Sequence, residues 1–180
     1  AECSQRLGDA LYIQGKYSEA AINFTDARSQ FVEIGERSCA AQCSQSLGDI
    51  LRMEGTKYDA ATILTNARAE FLEIGDLLSA AQSSHSLGDT LSDQGNYPEA
   101  TGMYTDARAQ FLEMGELLGS AQCSRSLGDI LIMQGNYSEA TEILADARAR
   151  FMQFGDRMGE FWCQQSSGVI LLRQKNYTEA

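Results

Sequence analysis

The chain has 180 residues, of which 43% are hydrophobic, and a formal net charge of −11 at pH 7. This acidity disfavours a nucleic-acid or anionic-membrane partner, because both attract clustered Lys and Arg. Its apolar runs stay short of the roughly 18 residues that a membrane span requires, and the length suits one domain.

One tripeptide, Leu-Gly-Asp, recurs at intervals of 40 residues, beginning at Leu7, Leu47, Leu87 and Leu127. Ser167-Gly168-Val169 continues the same spacing as a degraded fifth copy. Self-similarity at a fixed period is typical of solenoids, whose units bury their apolar faces by stacking on their neighbours. We therefore predict one all-α solenoid domain over 1–180, with repeats at 1–35, 36–75, 76–115 and 116–155 and a partial repeat at 156–180.

Each full repeat is predicted to form two antiparallel helices, and the fourth shows the pattern most clearly. Apolar residues at helical spacing define its first helix: Cys123, Leu127, Ile130 and Leu131. Gly135 ends that helix, since glycine adopts a left-handed cap without strain.

The second helix of this repeat follows the turn Asn136-Tyr137-Ser138. Its apolar residues are Ala140, Leu144, Ala147, Phe151 and Phe154. Gly155 ends it, and Asp156 is placed to cap the next first helix. Pro98 occupies the first turn of the equivalent helix in the third repeat, where its missing N–H has no cost.

The glycines of Leu-Gly-Asp lie in the middle of predicted helices, where each costs about 1 kcal/mol relative to alanine. We expect them to allow close approach to small residues of the second helices, namely Ala20, Ala60, Ala100 and Ala140. Four of the five cysteines share one repeat position: Cys3, Cys43, Cys123 and Cys163. Their spacing predicts small buried residues in a reduced protein rather than disulfides or a metal site.

The joint pattern resembles the tetratricopeptide repeat (TPR). The matching residues in the fourth repeat are Leu127, Gly128, Leu131, Gly135, Tyr137, Ala140, Leu144 and Ala147. The period of 40 departs from the usual 34. This long variety is similar to the repeat arrays of fungal NACHT- or NB-ARC-type receptors and to those of spindle-orientation adaptors.

The resemblance implies a right-handed superhelix whose first helices line a concave groove, with ligand contacts from equivalent positions in each repeat. Those positions are Gln5, Asp9, Tyr12 and Ile13; Gln45, Asp49, Arg52 and Met53; His85, Asp89, Ser92 and Asp93; Arg125, Asp129, Ile132 and Met133. It implies a protein or peptide ligand. The last two residues of each set differ between repeats, which is expected of a modular surface in which each repeat recognises a different part of the ligand.

The aspartates of Leu-Gly-Asp have two interpretations. They attract Lys or Arg of a basic peptide in the groove, or they pair within the protein with arginines of the second helices. Those arginines are Arg28, Arg68, Arg108 and Arg148.

We find no catalytic, metal-ligating or cofactor-binding pattern, and His85 has no nucleophile or Cys/His cluster near it in sequence. The leading hypothesis is therefore a non-enzymatic binding scaffold without a cofactor. The alternative is a structural protein that assembles end to end into oligomers or filaments. Its contact would be the apolar C-terminal helix with Phe161, Trp162 and Ile170.

The cysteine pattern favours a cytoplasmic location. N-glycosylation sequons at Asn23, Asn136 and Asn176 provide the argument for secretion.

Overall fold

The computed structural model describes residues 1–178, with side chains to residue 175, and this part of the chain forms nine α-helices. The helices are α1 (Glu2–Ile13), α2 (Tyr17–Glu33), α3 (Arg37–Met53), α4 (Lys57–Ile74), α5 (Leu77–Asp93), α6 (Tyr97–Glu113), α7 (Leu117–Gln134), α8 (Tyr137–Phe154) and α9 (Arg157–Thr178). The odd-numbered helices are the predicted first helices, and the even-numbered ones are the second helices. The all-α helical-repeat prediction is confirmed.

The chain divides into two compact units, the first over Ala1–Asn96 and the second beginning at Tyr97. In the first unit each helix from α1 to α5 packs on the next, and α3 also contacts α5. In the second unit α6 to α9 pack in the same order, and α7 contacts α9. First helices of consecutive repeats are thus neighbours within a unit. The boundary between the units falls inside the predicted third repeat.

Helix ends are set by glycines at positive φ every 20 residues: Gly15, Gly35, Gly55, Gly75, Gly95, Gly115, Gly135 and Gly155. At the first of them, the Gly15 N–H donates to the Tyr12 carbonyl and the Lys16 N–H to the Leu11 carbonyl, both at 2.9 Å. These two bonds form a Schellman motif, which satisfies carbonyls that the helix leaves without partners.

The predicted helix starts also agree with the structure. The Asp156 carboxylate accepts hydrogen bonds from the backbone N–H groups of Met158 at 3.1 Å and Gly159 at 3.0 Å, so it caps α9 as expected. Asp76 accepts in the same way from Ser79 at 3.0 Å, at the start of α5. Pro98 lies in the first turn of α6.

At three of the four Leu-Gly-Asp glycines, Gly8, Gly48 and Gly128, the predicted alanine partner is wrong. A Cβ atom added to Gly48 would lie 2.6 Å from Cγ of Leu64, and one added to Gly128 would lie 2.6 Å from Cγ of Leu144. At Gly8 the same atom would meet the Phe24 ring at 2.9 Å. Each glycine therefore receives a large side chain rather than an alanine. Two small residues facing each other would leave a void that close packing disfavours.

Three cysteines, Cys43, Cys123 and Cys163, are fully buried, as predicted. The five cysteines stand outside disulfide bonds in the described structure. Burial raises the pKa of the Cys43 and Cys163 thiols to about 11, which keeps them protonated and unreactive. Cys3 is exposed, which corrects the prediction for the first repeat. Cys43, its equivalent in the second repeat, packs into a core with residues of α1 and α2.

We expect Gly128→Ala to lower the free energy of unfolding by about 1–3 kcal/mol, because the new methyl overlaps the buried Leu144. Gly102→Ala is the matched control, since its Cβ would meet nothing within 4 Å in the interior of α6. It should raise the free energy of unfolding by about 1 kcal/mol through helix propensity alone. Urea denaturation measures both. Equal effects of the two substitutions would contradict the packing assigned to Gly128.

Candidate binding surface of the first helices

In the first unit, the predicted groove residues lie on three neighbouring helices. Gln5, Asp9, Tyr12 and Ile13 are on α1; Gln45, Asp49, Arg52 and Met53 are on α3; His85, Asp89, Ser92 and Asp93 are on α5. Gln45 also contacts α5, since the Ser83 hydroxyl donates to its Oε1 at 3.3 Å. Ile13 and Met53 are exposed apolar residues, 84% and 50% respectively.

Arg52 links α3 to two carboxylates of α5. Its Nη1 donates to Oδ2 of Asp93 at 3.2 Å, and its Nη2 lies 3.9 Å from Oδ2 of Asp89. Nδ1 of His85 lies 4.0 Å from the same Asp89 oxygen. Burial acts to lower the pKa of Arg52, but Asp89, Asp93 and Asp49 together raise it above its ordinary value. Arg52 therefore remains a cation held between acidic groups.

Asp49 is a partly buried carboxylate with an elevated pKa of about 6. Burial is the largest cause, and the negative charge of Asp89 adds to it. A hydrogen bond from Ser86 and the charge of Arg52 act in the opposite direction. The contacts within the protein thus compensate only part of the cost of burying this charge.

Asp49 and Asp9 share a cavity of about 70 Å³, whose other lining residues are Tyr12, Ser46 and Phe24. The Tyr12 ring stacks at a tilt on Tyr17, with centroids 5.6 Å apart. The pKa of Tyr12 is raised, first by burial and then by the charge of Asp49. A niche with carboxylates and aromatic rings has the chemistry to hold a cationic head group.

The serine that precedes Leu-Gly-Asp was not among the predicted groove residues, yet it contacts the aspartates. Ser86 bonds to Asp49, and the Ser166 hydroxyl donates to Oδ1 of Asp129 at 2.5 Å. In both cases the serine comes from the next first helix, 37 residues after the aspartate. The recurrence of this residue at Ser46, Ser86 and Ser126 was the available signal.

Three of the four second-helix arginines, Arg28, Arg68 and Arg148, have other partners than the aspartates of Leu-Gly-Asp. Nε of Arg28 donates to the Ser44 hydroxyl and Nε of Arg68 to the Ser84 hydroxyl, both at 2.8 Å. Arg148 pairs with Glu160 at 3.0 Å. These contacts favour neither an Arg28–Asp9 nor an Arg68–Asp49 pair.

In the second unit, the predicted residues divide between surface and core. Nη1 of Arg125 lies 2.9 Å from Oδ2 of Asp129, one turn along α7, and Met133 is exposed. Ile132 is only 4% exposed and belongs to a core cluster that includes Ile170 of α9. This corrects its assignment to an open groove, because the contact between α7 and α9 covers it.

The residues predicted for end-to-end assembly also divide. Phe161 and Trp162 are exposed, and their rings meet edge to face with centroids 5.6 Å apart. Ile170 is 3% exposed in the core and so cannot form an external contact. Phe161 and Trp162 are exposed and could form such a contact, and self-association stays a prediction.

Two of the three sequons lie on described residues. The Asn23 side chain donates to the Glu19 carbonyl at 2.9 Å within α2, and Asn136 immediately precedes α8. The side chain of Asn176 lies outside the described residues.

No helix within the described range is long and apolar enough to cross a membrane. Nor do His, Cys, Asp and Glu side chains gather there in a group of three that could hold a metal ion.

Residues 1–153 match the family described as soluble NSF attachment protein, SNAP. Among the curated proteins, none matches the sequence significantly. Similar folds occur in solved structures. BtubC (BKLC) from P. vanneervenii has a TM-score of 0.72 and 15% identity, over 97% of this chain and 80% of its own.

Two further similar structures are repeat proteins of low identity. The TPR-like repeats of a kinesin light chain from Podospora anserina give a TM-score of 0.68 at 14% identity, over 96% of this chain and 95% of theirs. A Rap protein complexed with Competence and Sporulation Factor gives 0.68 at 14% identity, over 96% of this chain and 64% of its own. At these identities the likeness shows the fold, and it confirms the TPR-like repeat.

The elevated pKa of Asp49 predicts a specific pH dependence of stability. Because the folded-state pKa of about 6 exceeds the unfolded value of 3.8, the folded protein binds more protons between these values, and stability falls as pH rises through this window. Asp49→Asn removes this effect. Its advantage over the natural protein should be small below pH 4 and reach at most about 3 kcal/mol above pH 6.

Urea denaturation at intervals from pH 3.5 to 7 measures this difference, with Asp106→Asn as the control at an exposed site of α6. A stability difference between Asp49→Asn and the natural protein that stays constant over this range would refute the assignment.

Proposed function

This chain belongs to the soluble NSF attachment protein (SNAP) family, and we propose that it is a non-enzymatic scaffold that binds a basic segment of another protein. The binding surface is formed by the first helices α1, α3 and α5. The observation that carries the proposal is the cavity between α1 and α3, which Asp9 and Asp49 line together with Tyr12.

The chemistry of this cavity favours lysine as the anchoring residue of the partner. A Lys ammonium group donates three hydrogen bonds, enough for both carboxylates and the Ser46 hydroxyl. Its methylene chain would pack on the aromatic rings of Tyr12 and Phe24, as long cationic side chains do on apolar surface. The charge of the ligand would also complete the compensation of the buried Asp49.

The neighbouring residues give this surface an asymmetric character. On the α5 side, Arg52 is held by Asp89 and Asp93, and we assign it the recognition of a carboxylate or carbonyl of the partner. Ile13 and Met53 are exposed beside the charged residues and would supply apolar contact. The remaining predicted groove residues of the first unit are proposed as its flanks: Gln5, Gln45, His85 and Ser92.

The comparisons support a binding role. The similar Rap structure is a complex with Competence and Sporulation Factor, and two other similar structures are named as kinesin light chain repeats or BKLC. The buried cysteines of the core, which form no disulfides in the described structure, support a cytoplasmic location, where cysteines stay reduced.

Selection of phage-displayed random 12-residue peptides on the whole chain, at low salt, tests the proposal. We expect enrichment of peptides with Lys, and a Kd at least 10-fold weaker for the double variant Asp9→Asn/Asp49→Asn. Rising salt should weaken binding, because the contact is ionic. Isothermal titration calorimetry of one selected peptide gives both values.

The matched control is Asp106→Asn/Glu113→Gln, which removes the same two charges from exposed sites of α6. It should leave the Kd within twofold. Selection of peptides without Lys or Arg, or equal losses in the two double variants, would show that Asp9 and Asp49 do not form the site.

A further inference from the structure

The second unit contains a cavity of about 260 Å³, which residues of α6, α7 and α8 line. Its floor is apolar and consists of Leu127, Ile130 and Leu131 of α7 with Ile143 of α8. Leu127 and Ile130 are buried, so the floor is continuous with the core. The volume lies just below the range of sites for drug-sized ligands. The cavity therefore suits a smaller molecule with an apolar body.

Arg108 of α6 lines this cavity, and its guanidinium group is not used by the fold in the usual way. Arg28 and Arg68, its repeat equivalents, donate from Nε to the serine hydroxyl 16 residues later, both at 2.8 Å. Arg108 does not form this bond with Ser124, because its Nε is buried without a hydrogen-bond partner among the described residues. Arg108 thus has a buried donor that a ligand can satisfy.

The other arginines with an orphan Nε differ from Arg108 in one respect. Arg52 and Arg148 each pair with a carboxylate through an Nη atom. In the described part of the chain, Arg108 has no such ion pair. A guanidinium group binds a carboxylate through two parallel N–H···O bonds. The Arg108 side of the cavity therefore favours a carboxylate ligand.

The register of the helices locates Arg108 within the cavity. A Cβ atom on Gly119, in the first turn of α7, would lie 2.8 Å from Cδ1 of Phe111, near the end of α6. The end of α6 thus lies beside the start of α7. Arg108 precedes Phe111 by three residues, about one helical turn. It therefore lies toward Leu127, the first lining residue of α7.

The opposite end of the cavity is polar and carries a negative charge. Gln134 ends α7, and Glu139 lies in the first turn of α8. Seven residues of α7 separate Leu127 from Gln134, which corresponds to about 10 Å along the helix. The cavity is therefore elongated, with a cation at one end, a carboxylate at the other and an apolar floor between them.

The α6 edge of the cavity adds two hydroxyl groups. The Thr105 hydroxyl donates to the Thr101 carbonyl at 2.8 Å, which leaves its oxygen as an acceptor. At the repeat position of Thr101, α2 and α4 carry Ala21 and Ala61. These hydroxyls give the edge the capacity to bond a polar group of a ligand.

We propose that this cavity binds a small zwitterion in which an apolar chain separates a carboxylate from an ammonium group. The carboxylate bonds to Arg108, the chain lies on Ile130 and its neighbours, and the ammonium group pairs with Glu139. Arg108 contributes more than Glu139, because the exposed carboxylate is screened by water. The site is separate from the cavity of Asp9 and Asp49 and does not depend on the function proposed there.

Three eight-carbon probes test the site on the whole chain: ω-aminooctanoate, octanoate and octylamine. We expect ω-aminooctanoate to bind with a Kd at least 5-fold lower than either of the others, because it alone satisfies both ends. Titrations followed by the NMR signals of isoleucine methyl groups measure each Kd. The signals of Ile130 and Ile143 should shift. That of Ile63, the equivalent of Ile143 on α4, should not.

Variants assign the two ends separately. Arg108→Gln should weaken ω-aminooctanoate and octanoate at least 5-fold and leave octylamine within twofold. Its thermal unfolding midpoint should not fall, because the guanidinium group has no partner to lose. Glu139→Gln should abolish the advantage of ω-aminooctanoate over octanoate. The matched control Arg6→Gln removes one positive charge from an exposed site of α1 and should change none of the three.

The variant Asp9→Asn/Asp49→Asn should leave ω-aminooctanoate binding within twofold, which distinguishes failure of this proposal from failure of the preceding one. An unchanged Kd in Arg108→Gln would show that the carboxylate does not bind this residue. Octanoate binding as tight as that of ω-aminooctanoate would remove the role of Glu139. A lower thermal midpoint of Arg108→Gln, together with no binding to the natural chain, would show that Arg108 pairs within the protein. Each of these results would overturn the proposal.

Discussion

The structure depends on one repeated contact, in which a large apolar side chain of a second helix enters the gap left by a glycine of a first helix. Gly48 with Leu64 and Gly128 with Leu144 show it in the two units. The contact fixes the spacing of the two helices and also their relative shift along the axis, since the large residue fits only where the side chain is missing. A helix-destabilising glycine is retained because the buried leucine compensates for its cost.

Because the glycine face of each first helix is used for packing, the other side of that helix is available for other chemistry. The aspartate of Leu-Gly-Asp follows the glycine directly and so lies beside the packed face. Asp49 and Asp129 each bond to a serine of the next first helix, Ser86 and Ser166. The aspartate thereby connects neighbouring repeats. Three positions after the aspartate the repeats carry different residues, namely Tyr12, Arg52, Ser92 and Ile132, of which Ile132 is buried in the core.

The sequence predicted the helices because their ends carry explicit signals: glycine at the C-terminal ends, Asp156 as a cap and Pro98 in a first turn. It did not predict which residue faces each glycine, because spacing along one helix does not determine the register between two. Ile132 shows the same limit, since α9 buries a position that is partly exposed in the earlier repeats. The Asp–Ser bonds join residues 37 positions apart, which makes them a property of stacking rather than of local pattern.

The electrostatics of Asp49 connect the fold to its proposed function. Burial of a carboxylate is unfavourable unless cations or hydrogen bonds compensate it. Ser86 and Arg52 do so in part, but Asp89 and Asp93 also compete for Arg52, and the pKa of Asp49 stays near 6. A chain of net charge −11 has no general surplus of cations with which to compensate this one. A ligand ammonium group in the adjoining cavity would be stabilised by the charge of Asp49, which the folded protein compensates only in part. Asp129 has Arg125 and Ser166 as partners. For that reason we assign binding to Asp49 rather than to Asp129.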